Sequence, residues 1–288
     1  MRKFEEYVEL VENKLSELMT VKDVPHKTLY ESMEYSVVAG GKRLRPALCL
    51  AACEAAGGNA EDVLSVACAI EMIHTFSLIH DDLPCMDDDD YRRGRLTNHK
   101  VFGEDIAVLA GDGLIIYAFE AAALANIPAD RLVKIISRLA QYSGKDGMIG
   151  GQIVDLESEN KEISIETLEF LHKNKTSALI CMSLECGCLA AGASDNVIRA
   201  FREYGLYTGL AFQVQDDILD VIGDSEVLGK PAGSDSENGK STYVTMFGLE
   251  KAAKIAEDYT NRAINAVKDI NGGEFFVKFA EMLMKREK

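Results

Sequence analysis

Tryptophan is absent from the 288 residues, and proline occurs only five times. Little therefore interrupts helices, which a chain rich in alanine, leucine, glutamate and isoleucine favours. No run of about 18 uninterrupted apolar residues exists, so no membrane-spanning helix is expected. Met1 to Leu18 mixes Glu and Lys with apolar residues at helical spacing and lacks the apolar block of a secretory signal, so a cytoplasmic protein is the expectation. The seven cysteines are odd in number and lie mostly in apolar stretches, unlike a disulfide framework. Cys181, Cys186 and Cys188 lie close together, but their spacing is not a zinc pattern and no paired-His motif is near, so they read as buried core thiols. Positive charge is also in deficit, with 31 Lys and Arg against 47 Asp and Glu and a net charge of -16. Such a chain repels nucleic acid and anionic membranes.

What is present is helical period. Hydrophobic residues make up 47% of the chain, enough for a large core, and the length is at the upper limit for one core. Val63, Val66, Ala67, Ile70, Ile73, Phe76 and Ile79 recur at three-to-four spacing, and 106–125, 130–142, 166–191, 196–222 and 250–268 behave alike. Strand alternation is missing. Breaks fall at Gly57-Gly58, Pro84, Pro128, Gly144 to Gly151 and 223–241, and no linker divides the chain. The expectation is an all-α fold in a single domain over 1–288.

Two acidic clusters interrupt these helices. The first is HDDLPCMDDDDYRRG at 80–94. Pro84 biases Leu83 away from helical geometry, so Asp81 and Asp82 lie at a helix C-terminus, where the macrodipole disfavours negative charge. The second, QVQDDILD at 213–220, places Asp216 and Asp220 on one helix face. Carboxylates that close repel by about 1–3 kcal/mol, a cost that a divalent cation removes. Oxygen-only ligands with few nearby His favour magnesium over zinc, and magnesium uses substrate phosphates as further ligands. The alternate-position ligands and central Gly of a calcium-binding loop are missing. For Asp88 to Asp90 a solvated acidic turn is the simpler reading.

Basic islands flank the acids. GGKRLRP at 40–46 sets three cations before an apolar helix, Arg92 and Arg93 follow the first acidic motif, and Lys173, Lys175 and Thr176 lie on the helix expected from 166. Lys230 and Lys240 each follow a Gly in a polar loop. Arg suits bidentate phosphate contacts and Lys supplies a point charge. Their occurrence beside both acidic motifs argues for two phosphorylated substrates, one bridged by metal and one held by Lys and Arg directly. No GxxxxGK[ST] phosphate loop is present.

GGKRLRP at 40–46, HDDLPCMDDDDYRRG at 80–94, GGQIVDL at 150–156, KT at 175–176, FQVQDDILD at 212–220, GK at 229–230 and GKSTY at 239–243 together resemble the trans-isoprenyl diphosphate synthases, and most nearly their bacterial farnesyl-forming members. The resemblance implies a bundle of long helices around a central cavity, usually in a homodimer, with Mg2+ as cofactor and isopentenyl diphosphate and an allylic diphosphate (dimethylallyl or geranyl) as substrates. It implies that Asp81, Asp82 and Asp87 hold magnesium on the allylic diphosphate from one wall and Asp216, Asp217 and Asp220 from the other. Arg92, Lys175 and Lys230 would neutralise that diphosphate. Lys42, Arg45, His74 and Arg93 would bind isopentenyl diphosphate, and Thr176 and Gln213 would face the reacting carbons. His74 precedes Asp81 by seven residues, which puts both on nearly the same helix face; His80, Asp112 and Asp155 read as structural or supporting. Val244 stands where the family often has proline. Phe76 lies five residues before Asp81, about 7.5 Å along the helix axis. An aromatic there, with two extra residues inside the first acidic motif, goes in the resemblance with a fifteen-carbon product.

Overall fold

The computed structural model describes residues 1–222 and 241–284. Lys230 and Lys240, and the GK and most of the loop expected at 223–241, lie outside the described residues. Helix accounts for 76% of the structure, as the composition predicts. Backbone proximity divides the chain into two compact units, Met1–Leu139 with Cys186–Gly192, and Ala140–Glu185 with Ala193–Lys288.

The first unit is built on α4 (Leu64–Asp81), apolar nearly all round and buried at Val66, Ala67, Ile70, Met72 and Ile73. It packs chiefly on α6 (Glu104–Ala122). Around them lie α1 (Phe4–Leu18), α2 (Lys27–Val37), α3 (Leu44–Ala55), α5 (Asn98–Phe102) and α7 (Ala129–Ser143), which enters the second unit at its end. α1 buries Tyr7, Val11 and Leu15, spaced four apart so that they share one face. α3 is made mainly of Ala, Cys and Leu and is buried over most of its length, because small side chains let neighbours approach from every side. Together with the 3-10 turn before it, α4 is long and apolar enough to cross a membrane, a property hidden from a search for unbroken apolar runs by Ser65, Glu71 and His74. Its most apolar stretch is 72% buried inside the structure.

Two short strands, β1 (Tyr91–Arg92) and β2 (Arg95–Leu96), pair antiparallel, with Tyr91 opposite Leu96. Alternation could not reveal strands of this length. The signal is in the turn: Arg93 and Gly94 both have positive φ, 54° and 75°, as a two-residue hairpin loop with right-handed twist requires.

The second unit contains α8 (Met148–Ser158), α9 (Ile165–His172), the first part of α10 (Ala178–Ala191), α11 (Asp195–Ile222), α12 (Tyr243–Phe247), α13 (Leu249–Val267) and α14 (Gly273–Met284). α11 packs along α13. Leu168, Val214, Ile218, Tyr243, Ala252 and Ala256 form one buried cluster. A second centres on Phe276, whose ring meets Phe201 and Tyr204 edge-on at 4.8 and 5.5 Å between centroids. The helix expected over 166–191 is not continuous α-helix. Lys173–Ser177 widens into a π turn, and the Asn174 side-chain Nδ2 donates to the Phe170 carbonyl at 2.8 Å. The break expected over Gly144 to Gly151 ends early, since α8 already starts at Met148. Cys49, Cys53, Cys68, Cys181, Cys186 and Cys188 are buried and Cys85 is exposed.

Candidate active site

In the first unit the motifs lie at the end of α4 and the start of α3. α4 stops at Asp81, with Asp82 as its cap. The chain then loops through Leu83 to Met86 and returns: the Asp87 N–H donates to the Asp81 carbonyl at 2.9 Å, and Asp88 takes a left-handed φ of 52°. Leu83 to Met86 are thus looped out, and the Asp87 backbone is brought back beside Asp81. Asp81 is half-buried and Asp87 exposed. Asp82 is buried and bound by Arg92, whose Nε lies 2.7 Å and Nη2 2.5 Å from its Oδ1. Burial pushes the Asp82 carboxyl above its ordinary range, and Arg92 opposes that shift. Two residues expected to meet a metal diphosphate therefore also meet each other.

The basic loop is strained. Gly40 and Gly41 have φ of 83° and 133°, and Arg43, although not glycine, has 48°. The Arg93 guanidinium lies against Gly41, where a β-carbon would come within 2.6 Å of it, and donates to the Gly40 carbonyl. Glycine at 41 is therefore favoured by its φ, while the Arg93 guanidinium, the end of a flexible side chain, could shift away from a β-carbon. Lys42 is exposed and Arg45 half-buried. Arg45 Nη1 lies 3.4 Å from His74 Nε2. Since arginine can only donate, Nε2 accepts, and the imidazole carries its proton on Nδ1. Burial, with the positive charges of Arg45 and Arg93, holds His74 well below its ordinary pKa, so it is neutral at neutral pH. Arg45, His74, Arg93 and Lys42 are thus gathered by one loop, one turn of α4 and the hairpin.

In the second unit a cleft of about 180 Å³ is lined by Asp155, His172, Lys175, Thr176, Gln213 and Asp217, among others. The π turn presents Lys175 and Thr176. It approaches α8 so closely that a β-carbon on Gly151 would lie 2.4 Å from the Lys175 nitrogen. One turn further along α8, Asp155 forms a close ion pair with Lys175 Nζ. The Thr176 hydroxyl donates to Gln213 Oε1 at 3.0 Å, joining the two residues expected near reacting carbons. On α11 Asp216 is half-buried, and Asp217 and Asp220 are buried. Asp217 accepts from the Tyr243 N–H at 2.8 Å.

Sequence reasoning missed Glu71, Glu12 and His172, and left Arg43 without a role. Glu71 and Glu12 bind Arg43 at 2.7 and 2.6 Å. His172 lies in the cleft wall, stacked on Tyr243 at 5.8 Å and 21°. Its two ring nitrogens are buried with no hydrogen-bond partner among the described residues, and burial lowers its pKa to about 4. A lone acid or imidazole in an apolar helix, as at Glu71, was the available signal.

The acidic motifs offer only oxygen donors. Among the described residues no three His, Cys, Asp or Glu side chains converge into a ready metal cage. A cation there must complete its shell with water and phosphate oxygens, which suits magnesium and not zinc.

An all-α protein with two acidic motifs, each beside cationic side chains, is of the class equipped to hold phosphorylated substrates. The comparisons place it further. Residues 26–272 match the model of the polyprenyl synthetase family, and the chain belongs to that family. It is 49% identical to a chloroplastic geranylgeranyl pyrophosphate synthase of Capsicum annuum, over 88% of this chain and 69% of that one. It is 46% identical to the farnesyl diphosphate synthase of Bacillus subtilis, over 84% and 82%. Among solved structures, geranylgeranyl pyrophosphate synthetase from Pyrococcus horikoshii matches with a TM-score of 0.90 and 33% identity, covering 99% of this chain and 97% of that one. The fold is that of the isoprenoid synthases, and the protein is a prenyltransferase that elongates prenyl chains.

Proposed function

We propose that this protein condenses isopentenyl diphosphate head-to-tail with dimethylallyl and then geranyl diphosphate, giving farnesyl diphosphate and releasing inorganic diphosphate. Lys42, Arg45, His74 and Arg93 bind isopentenyl diphosphate, and their gathering around the 40–45 loop is the observation that carries this reading. Arg92, Lys175 and Lys230 neutralise the allylic diphosphate. Asp81, Asp82 and Asp87, and Asp216, Asp217 and Asp220, would hold magnesium, which when bound would supply positive charge to the allylic diphosphate. The cationic side chains stabilise the departing diphosphate as the allylic C–O bond ionises. The isopentenyl double bond attacks the allylic cation, a C–C bond forms, and the proton lost from the adjoining carbon passes to the released diphosphate. Thr176 and Gln213, already bonded to each other, turn a hydroxyl and an amide dipole toward the developing cation. No side-chain nucleophile takes part.

The fifteen-carbon product rests on Phe76, a bulky buried side chain 6% exposed, one turn from His80 and edge-on to its ring at 5.6 Å. It floors the pocket for the growing tail. A twenty-carbon product is the second reading, favoured by the geranylgeranyl synthases among the relatives. Exposed Val108, Leu109 and Ile116 on α6 support a homodimer, and a cytoplasmic location is part of the proposal. Chromatography of dephosphorylated products from labelled isopentenyl diphosphate is the test. A fifteen-carbon alcohol is expected, and chiefly twenty carbons would replace the first reading by the second.

A further inference from the structure

Arg43 is the one cation of GGKRLRP that the proposed reaction does not use, and it is the most deeply placed. Its side chain is fully buried. Nε donates to Glu12 of α1 at 2.6 Å, Nη1 to Glu71 of α4 at 2.7 Å, and Nη2 to the Val37 carbonyl at the end of α2 at 2.6 Å. Arg43 is also the N-cap of α3 in a left-handed conformation, which a residue with a β-carbon adopts only when its surroundings impose it. Lys42 is therefore fixed between Gly41 and Arg43, neither of which has ordinary backbone geometry. Arg45 follows in the first turn of α3. Glu71 lies one turn before His74 on α4, so one helix grips Arg43 through Glu71 and meets Arg45 through His74.

We infer that Arg43 and Glu71 are positioning residues for the isopentenyl diphosphate site: the Arg43–Glu71 clamp sets the left-handed turn that aims Lys42 and Arg45 at the diphosphate. This rests on the reading of Lys42 and Arg45 as its ligands. Guanidinium geometry suits the clamp, since its donors spread in a planar fork toward acceptors on three helices, whereas a lysine ammonium offers its donors from a single nitrogen. Glu71 is the buried counter-charge of Arg43 and holds it in place. Its negative charge also acts on Arg45 and Arg93. Were that its whole role, removing the charge would tighten diphosphate binding; loss of the clamp would weaken it. The two roles predict opposite signs.

The test is steady-state kinetics of the full chain for Lys42→Ala, Arg43→Lys, Glu71→Gln and Glu12→Gln, with thermal unfolding followed by circular dichroism. Arg43→Lys and Glu71→Gln are expected to raise KM for isopentenyl diphosphate about tenfold, a loss near 1.4 kcal/mol, with the allylic KM within about twofold. Glu12→Gln, on the more exposed partner, should raise it less. A Glu71→Gln enzyme with lowered KM, or variants whose two KM values and melting temperature move together, would overturn the positioning role. So would unchanged isopentenyl KM in Arg43→Lys and Glu71→Gln while Lys42→Ala raises it. If Lys42→Ala itself leaves that KM unchanged, the ligand reading fails first and the clamp falls with it. Should Arg43→Lys and Glu71→Gln not fold, Glu12→Gln decides: a selective rise supports the clamp and no change overturns it.

Discussion

Asp81 and Asp90 belong to one acidic run and carry the same group, yet the chain treats them differently. Asp81 ends a buried helix and has Asp87 folded back beside it. Asp90 is exposed and pairs with Lys100 at 2.7 Å, a hydrogen bond that holds its carboxyl below the ordinary range. Asp81→Asn and Asp216→Asn should each lower kcat by about a hundredfold or more, the scale of losing transition-state charge stabilisation, while Asp90→Asn leaves it nearly unchanged. Similar, small losses at all three would sink the ligand assignment. His172 allows a prediction about stability. Its folded pKa of about 4 lies below the unfolded value near 6.5. The unfolded chain therefore takes up the proton first as pH falls. Stability is full above pH 6.5 and declines toward pH 4, by at most about 3 kcal/mol for a shift of this size. Urea midpoints measured between pH 7 and 4 should fall less steeply in His172→Phe; parallel curves would refute the assignment. Residue type and spacing made Asp81 and His74 legible. Glu71 was marked only as a lone acid in an apolar helix and His172 by nothing in its spacing, because their significance is burial, which neighbours impose.

At the scale of elements, most of the helices were legible. Period alone placed 63–80 where α4 runs Leu64–Asp81, and 196–222 where α11 runs Asp195–Ile222. The π turn was not legible, since Lys173–Ser177 is polar throughout and so short a polar stretch between apolar flanks reads as the solvent face of one long helix. α8 causes the close approach, with Gly151 against the Lys175 backbone and Asp155 on its ammonium. The separate sequence signals GGQIVDL and KT are therefore halves of one contact. Gly151→Ala should force that contact apart, costing about 1–3 kcal/mol in urea unfolding and lowering kcat by displacing Lys175 and Thr176. Ile153→Ala on the same helix, 52% exposed, should change stability by no more than about 0.5 kcal/mol. Equal effects at the two positions would show that the approach is not tight.

For the whole molecule, the proposed function makes magnesium the controlling variable. Chelation should abolish turnover and added magnesium restore it; full activity in a metal-free preparation would defeat the metal reading. Phe76→Ala should lengthen the product to twenty carbons or more, and an unchanged product in that variant would remove Phe76 from the pocket floor. By itself the sequence determined helix, because scarce proline and three-to-four apolar spacing are properties of the chain alone. It also carried the motifs by which the chain resembles the trans-isoprenyl diphosphate synthases, because residue type and order along the chain survive folding. Only tertiary structure decided which charges serve one another. Arg92 on Asp82, Lys175 on Asp155 and Arg43 on Glu71 are pairs separated by 10 to 28 residues. Their attraction depends on distance and burial in space, and neither quantity is a function of sequence separation.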